Sequence, residues 1–404
     1  MTAPSGRPVE VVTTDGSARA ARELAARLIT AGSGAGPAVL PTGPEDPSPR
    51  AALVAPVPAG VAAVVTTSGS TGVPKAVLLS GSALAASAAA TSARLGGEGR
   101  WLLAMPAHHV AGIQVLLRSA RAGSPAAVMD LREGFRPDGF AAALETAAAD
   151  GAGAVSRTSL VPTQLRRLLD DADGAGSGAG LDGLRSLDAV LLGGAAAEPA
   201  LLARARAAGV RVVTTYGMSE TCGGCVYDGT PLDGVSVELD DPDSSGTGRV
   251  VLGGSTVAEG YRGADEAAAA DFLPGRRFRT SDLGRFDADG RLEILGRADD
   301  VIVTGGETVA PSAVEQALLA VPGVREACVV GVPDPEWGAR VVAVVAGGDG
   351  AALDAASVRA EVAAGLARQG LGRAAPRSVR VLDSVPVHGI GKPDRAAVRA
   401  LFAG

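Results

Sequence analysis

The 404-residue sequence predicts an α/β protein, with a large N-terminal domain of mixed or parallel β-sheets and helices, a small β-rich subdomain, and a small mobile C-terminal α/β domain. Three observations carry this. Short apolar runs repeatedly end in glycine-bearing turns and lead into Ala-rich helical text, the order that builds parallel sheets covered by helices. Across 234–252 the text changes to short alternating strands with turn residues between them. Beyond Asp299 it changes again, into a compact α/β module with its own apolar runs. A chain of this length exceeds one core, so at least two domains are expected, placed at 1–298 and 299–404 with a hinge near Asp299.

In chain order, residues 1–60 combine helical text over 17–31 with a Gly/Pro-rich loop over 32–49. Strand, loop and strand follow from Val61, then a helix over 82–93 for which Ser80 or Ser82 can act as cap. A buried strand over 101–105 leads through Pro106-Ala107-His108-His109-Val110-Ala111-Gly112 into a helix reaching Arg121. Strands are expected over 126–130, 154–161, 188–192 and 210–214, and helices over 138–149, 163–170 and 199–208. The Gly/Ser/Asp-rich stretch 171–183 reads as a mobile surface loop. In the C-terminal module a helix begins near Pro311, strands cover 328–332, 341–346 and 378–381, a helix covers 356–367, and an Arg-rich helix closes the chain.

Composition narrows the function classes. Hydrophobic residues make up 47% and charged residues 20%, a globular balance, while aromatics at 3% leave the core to Val, Leu and Ala. A formal net charge of -7 without any basic block argues against a nucleic-acid partner. No signal-like start and no apolar run of bilayer length are present, so no membrane association and a cytoplasmic location are expected. Three cysteines fit a reducing compartment, and the Cys222-x-x-Cys225 pair reads as packing, since zinc would need more ligands than Cys328 and three scattered His readily supply.

The candidate site begins at Val64-Val65-Thr66-Thr67-Ser68-Gly69-Ser70-Thr71-Gly72-Val73-Pro74-Lys75. Glycines let backbone approach an anion, the hydroxyls of Thr67, Ser68, Ser70 and Thr71 can donate to phosphate oxygens, and Lys75 adds a point charge. Lys+Arg total 37, yet lysine stands only at 75 and 392, so an ammonium is expected to matter at both. The loop lacks the Gly-Lys-Ser/Thr ending of a Walker loop. A second loop, Thr214-Thr215-Tyr216-Gly217-Met218-Ser219-Glu220-Thr221, offers a ring to stack a flat base and, in Glu220, a hard oxygen for Mg²⁺ or a bridging water, although an ordinary polar turn is the alternative. Asp282 can accept from ribose hydroxyls, and Arg297 can bond ribose or phosphate. Lys392 lies in Gly389-Ile390-Gly391-Lys392-Pro393, suited to completing a site on domain closure.

Taken in order, these motifs resemble the adenylate-forming superfamily of acyl-CoA synthetases, nonribosomal peptide adenylation domains and luciferases, over nearly all of the chain from Val61. The resemblance implies an AMP-forming acid–thiol ligase using ATP, Mg²⁺ and coenzyme A as co-substrate. It implies that the 66–75 loop holds phosphate, that 215–219 holds adenine beside Glu220, that Asp282 binds ribose, that Arg297 with Asp299 forms the interdomain hinge, that Gly305 and Gly306 face coenzyme A, and that Lys392 contacts the acyl carboxylate and ATP. Within the superfamily, Ser159-Leu160-Val161-Pro162-Thr163-Gln164-Leu165 and 109–112 are most similar to the o-succinylbenzoate–CoA ligases of menaquinone biosynthesis. His109, Arg118, Ser159, Thr163, Gly193 and Gly194 are then the acid-pocket candidates, with a bidentate Arg118 for a second carboxylate; a helix-surface arginine is the alternative. Ligation of another aromatic or short-chain acid, service to a carrier protein, and non-catalytic nucleotide binding are the competing readings. The leading portion before the phosphate loop is shorter than in most members, so a trimmed N-terminal subdomain is expected, and a homodimer is compatible with the sequence.

Overall fold

The computed structural model describes residues 6–44, 46, 51–67, 75–174, 176–263, 266–348, 353–368, 371–388 and 392–402. Its α/β chain divides into two compact units, Met1–Glu238 with Val251–Thr280, and Leu239–Val250 with Ser281–Gly404. The chain passes from one to the other within the strands Val235–Asp240, Gly248–Gly254 and Arg277–Phe286.

The first unit holds two sheets. In one, β1 (Val9–Thr13), β2 (Ala38–Thr42) and β3 (Val61–Thr67) run parallel, while β4 (Lys75–Ser80) returns antiparallel to β3. The strand Gly260–Arg262 adds to the free edge of β4. The other sheet uses β5 (Arg100–Leu103), β6 (Ala127–Val128), β7 (Val155–Leu160), β8 (Ala189–Leu192), β9 (Val212–Met218), β10 (Gly223–Tyr227) and β11 (Thr230–Pro231), in the order β11-β10-β9-β8-β7-β5-β6. It is parallel from β6 to β9 and antiparallel through β10 and β11.

Helices cover these sheets because their sequences bury one stripe. The helix Ala18–Gly32 buries Leu24 and Leu28 and is capped by Ser17, whose hydroxyl accepts from Ala20 N. Ser80 rather than Ser82 caps the helix Gly81–Arg94, accepting from Ala83 N at 3.4 Å. Trp101, Leu103 and Ile113 share one core with Leu24 and Leu84, and Phe140, Leu160, Leu168 and Leu184 share another.

Three sequence expectations need correction. The expected loop 32–49 contains β2, all five of whose residues are buried. The expected mobile loop 171–183 is taken largely by helix, Pro162–Asp173 on one side and Ala179–Ser186 on the other. The expected strand 126–130 pairs only over Ala127–Val128.

In the second unit the strand Leu292–Arg297 pairs antiparallel with residues 282–286. A two-residue hairpin joins Ile302–Thr304 to Glu307–Val309, and Gly305 and Gly306 both take positive φ, 57° and 80°, as a primed turn requires. Beyond it, Val324–Asp334 pairs antiparallel with Gly338–Gly347, on which Ser378–Leu382 lies parallel. The helices Pro311–Leu319 and Ala355–Arg368 pack Val314, Leu318, Val358 and Val362 against Val329, Val341 and Val345. Among the described residues no helix is long and apolar enough to cross a membrane.

Candidate functional site

The two strands that flank the proposed phosphate loop end opposite each other, with Thr67 paired to Lys75 and Thr66 to Ala76. The hairpin register therefore presents Lys75 at the first residue after the loop. Ser68, Gly69, Ser70, Thr71 and Gly72 lie outside the described residues. On the other side of β4, Tyr261 pairs with Val77. That pairing lets the Lys75 ammonium lie 4.8 Å from the centre of the Tyr261 ring, within cation–π range. The Tyr261 hydroxyl donates to Glu220 Oε1 at 2.6 Å, and Phe272 meets the ring edge-on with centroids 5.1 Å apart. A cation, a phenol and a buried carboxylate, Glu220 being 8% exposed, thus converge at the base of the loop.

Glu220 is placed by the β9–β10 hairpin. After Met218 the chain makes one 3₁₀ turn, Ser219–Thr221, and Cys222 takes a left-handed conformation, φ 53°, before β10 returns. Thr221 Oγ1 donates to Gly223 O at 2.8 Å, and the Glu220 carbonyl accepts from Ala258 N at 2.8 Å, fixing the turn from both sides. Gly217 must be glycine, since a Cβ there would stand 2.2 Å from Gly223 O across the hairpin. A single buried carboxylate with hard oxygens fits what Mg²⁺ takes from a protein when phosphates and waters fill the remaining positions.

The other first-unit candidates gather at the carboxyl ends of the parallel strands, the usual ligand-binding edge of such sheets. His109 is the residue before the helix Val110–Arg121, just beyond β5. Gly112 permits that tight entry, because a Cβ would lie 2.4 Å from Pro106 O. Ser159 stands near the end of β7 and is 7% exposed, whereas Thr163, in the first turn of the helix Pro162–Asp173, is exposed. Gly193 follows β8 and donates its N–H to Leu160 O at 3.1 Å; a Cβ there would meet Thr215 Oγ1 at 2.2 Å, so Gly193 and Thr215 touch. Gly194 takes φ 81° beside Val161.

Arg118 lies apart from this group. The helix Val110–Arg121 runs back along β5, so its last turns reach the amino end of that strand, opposite the edge where His109 lies. Ser119 Oγ there accepts from Trp101 N at 2.9 Å. Arg118 is 3% exposed, its guanidinium lies 5.1 Å from the Trp101 ring centre, and Nε has no hydrogen-bond partner. Burial lowers its pKa and the Tyr227 hydroxyl opposes that shift. Arg118→Met should leave the KM for the acid unchanged and melting within about 2 °C of the parent or above it, because an apolar residue of similar volume avoids desolvating a cation. A tenfold rise in KM, about 1.4 kcal/mol, would return Arg118 to the pocket.

His108 emerges with a defined role beside His109. The Thr14 hydroxyl lies 3.2 Å from both Thr42 O and His108 Nδ1, tying the imidazole to the end of β2. The imidazole packs on Gly43, where a Cβ would stand 2.7 Å from His108 Cε1, and its centroid is 4.4 Å from that of His109. Burial lowers the His108 pKa, with Asp46 opposing. The unfolded chain therefore takes up the proton first, so the stability held by neutral His108 is complete above about pH 6.5 and is lost as the pH falls below that value. Melting measured at about pH 7.5 and about pH 5.5 should show a steeper loss for the parent than for His108→Gln; equal slopes would refute it.

The second-unit candidates are arranged around short strands. Asp282 stands directly opposite Arg297 in the antiparallel pair, and Arg297 Nη2 reaches Asp299 Oδ2 at 3.3 Å across an exposed turn. Gly305 donates its N–H to Trp337 O at 2.9 Å, and a Cβ on Gly305 would collide with the Trp337 ring at 2.6 Å. Lys392 begins a two-residue strand whose backbone pairs with His388.

The profile of the AMP-binding enzyme family matches residues 8–262, and that of the AMP-binding enzyme C-terminal domain matches 313–392. The chain belongs to the AMP-binding, adenylate-forming enzyme family. A family member from Mycobacterium tuberculosis described as a probable 2-succinylbenzoate–CoA ligase is 46% identical over 349 residues, covering 85% of each chain. Among solved structures, the o-succinylbenzoate CoA synthetase of Bacillus subtilis in complex with its acyl-adenylate intermediate superposes with a TM-score of 0.71 at 28% identity, covering 84% of this chain and 69% of that one. The amide bond synthetase McbA of Marinactinospora thermotolerans gives 0.73 at 29% identity, covering 98% and 80%.

In this AMP-binding enzyme Tyr261 is the site residue that sequence reasoning missed. Its one signal was rarity, as one of three tyrosines in a chain poor in aromatics. Cys222 and Cys225 are fully buried, and burial pushes the Cys225 thiol up to about 12, so neither is a ready thiolate. Among the described residues no cluster of three or more His, Cys, Asp or Glu is placed to hold a metal ion.

Proposed function

We propose that this enzyme joins a carboxylic acid to coenzyme A through an acyl-adenylate, and that the acid is o-succinylbenzoate. The observation that supports the chemistry best is the convergence of Lys75, Tyr261 and Glu220 at the base of the 66–75 loop. The choice of acid rests on the 46% identity to the mycobacterial relative.

In the first half-reaction the acid's carboxylate oxygen attacks the α-phosphorus of ATP, and the bond to the bridging oxygen breaks, releasing pyrophosphate. In the second the thiol sulfur of coenzyme A attacks the acyl carbon, loses its proton and expels AMP. Mg²⁺, when bound, would neutralise phosphate charge, and Glu220 is the residue that would hold it. The 66–75 loop donors and Lys75 position the phosphates, and Lys75 can leave the Tyr261 face to meet developing charge at modest cost, since a half-buried cation–π contact holds about 1–2 kcal/mol. Residues 215–219 receive adenine, and Asp282 with Arg297 the ribose. His109, Ser159, Thr163, Gly193 and Gly194 line the acid's place. Lys392 serves adenylation, and a turn of the 299–404 domain about Asp299 then brings Gly305 and Gly306 to coenzyme A.

A panel of carboxylic acids that includes o-succinylbenzoate, incubated with ATP and coenzyme A and read by mass spectrometry, tests this. The expected result is the thioester of o-succinylbenzoate with stoichiometric AMP. A thioester formed faster from another aromatic or short-chain acid replaces the substrate assignment, adenylate without thioester points to a carrier-protein or amine acceptor, and no pyrophosphate with any acid rejects the ligase.

A further inference from the structure

The second unit carries a partly buried ionic cluster that the reaction chemistry leaves unexplained. Arg395, the first residue of the helix Arg395–Ala400, sits three residues after Lys392. Its Nε lies 3.0 Å from Asp300 Oδ2 and its Nη1 lies 2.7 Å from Glu315 Oε1. Nη1 also donates to Val329 O at 2.6 Å, while Glu315 Oε1 accepts from Val329 N at 2.9 Å. One guanidinium therefore joins the turn Ala298–Asp300, the helix Pro311–Leu319 and the strand Val324–Asp334 to the segment that carries Lys392.

Stability alone is a poor explanation for such a cluster. Taking three charged groups largely out of water costs several kcal/mol per ion, and well-packed apolar residues would hold these elements together as well or better. What apolar packing does not supply is a fixed direction, and a guanidinium with a carboxylate on two of its edges has one. Apolar packing of Val385, Val398 and Phe402 on Val330, Val332 and Val342 also anchors the flanks of the Lys392 segment, and three polar, directional attachments lie closer to the lysine. Val385 N donates to Glu326 Oε2 at 2.8 Å, Asp394 N donates to Pro386 O at 2.8 Å, and Asp394 caps the helix by accepting from Ala397 N at 2.9 Å. Between these fixed points the backbone of Lys392 is held by its pairing with His388.

We propose that Arg395 is a positioning residue for adenylation: with Asp300 and Glu315 it sets where the Lys392 segment stands relative to the turn Ala298–Asp300. This rests on the reading that Lys392 serves adenylation and not thioester formation. The cluster acts through that lysine and touches no substrate.

The two half-reactions separate a positioning role from a structural one. Acid-dependent exchange of pyrophosphate into ATP reads adenylation, and thioester formation from chemically prepared acyl-adenylate and coenzyme A reads the second half, both with the full-length enzyme. Arg395→Gln should lower the exchange kcat by about tenfold or more, as loss of a supporting hydrogen-bonded residue does elsewhere, with the KM for ATP and the rate from acyl-adenylate unchanged. Arg395→Lys, which keeps the charge, should recover part of the loss, and Asp300→Asn, which leaves the Glu315 contact in place, should show the same one-sided defect in milder form. If the two halves fall together in Arg395→Gln along with its melting temperature, and Asp300→Asn exchanges like the parent, the cluster is only structural and the proposal is overturned. A parent enzyme that shows no pyrophosphate exchange with any acid of the panel fails at the earlier step, and the proposal falls with the reading it rests on.

Discussion

Replacing Lys392 by alanine should lower acid-dependent pyrophosphate exchange by about 10²- to 10³-fold, the range seen when one preorganised group that meets developing charge is removed. Thioester formation from supplied acyl-adenylate should persist, because under the proposed assignment the carboxylate charge that Lys392 would answer has by then been consumed. Arginine should not restore exchange. Its flat fork spreads the charge over several donors, whereas a compact ammonium can approach a carboxylate and a phosphate oxygen together. The chain already contains arginine at every basic position but two, so if arginine sufficed at 392 nothing in its composition would oppose it. Normal exchange in Lys392→Ala with failed thioester transfer would reverse the assignment, and near-parental turnover in Lys392→Arg would sink the argument from lysine scarcity.

The second large effect is expected at Glu220. Glutamine there keeps an oxygen able to accept from the Tyr261 hydroxyl, which now makes a 2.6 Å bond to the carboxylate, so the β9–β10 hairpin should hold its shape. What is lost is a full negative charge in a nearly buried place. Exchange should fall by about 10²-fold, and the Mg²⁺ concentration for half-maximal rate should rise. An equilibrium measurement supports the kinetic one: Mg²⁺-dependent stabilisation of the ATP complex against heat should weaken in Glu220→Gln. A variant with parental exchange and an unaltered Mg²⁺ titration would show that Glu220 is a structural acceptor for Tyr261 and nothing more.

The strand–turn–helix repetition made the fold class and most of the second sheet legible, because β5 and β8 are short, mainly apolar runs with turn chemistry on both sides, and β7, Val-Ser-Arg-Thr-Ser-Leu, stands between a glycine turn and the Pro162 helix start. The same rule hid other elements. The helix Ala179–Ser186 looked like loop because it contains Gly180 and Gly183, yet those glycines answer to packing: a Cβ at Gly180 would lie 2.5 Å from Leu168 Cδ2, and one at Gly183 2.6 Å from Leu144 Cδ1. The strand β2 reads Ala-Val-Leu-Pro-Thr amid Gly and Pro, and its burial comes from β1 and β3 on either side, which no local pattern reports.

The same division runs through the site. Lys75 and Glu220 could be named from their loops, since glycine-rich turns and hard-oxygen donors have local signatures. Tyr261 could not, because it reaches Lys75 only through the pairing of Gly260–Arg262 with β4, nearly the length of a domain later in the chain. Arg118 shows the opposite case. Its residue type suited a dicarboxylate, but the direction of a helix relative to its strand decides which end of the sheet a side chain reaches, and that is settled by topology rather than by composition.

The ammonium resting on Tyr261 also bears on the protein's reactivity toward acylating reagents. Apart from the chain's amino terminus, only Lys75 and Lys392 offer such a reagent an amine, and one of them is covered on one face by an aromatic ring. A mild amine-directed label therefore has at most three sites in this sequence, each identified by the mass of its own labelled peptide after digestion and each reporting one place. Occupancy of the 66–75 loop becomes readable as protection at a single residue, without a fluorophore or an engineered cysteine.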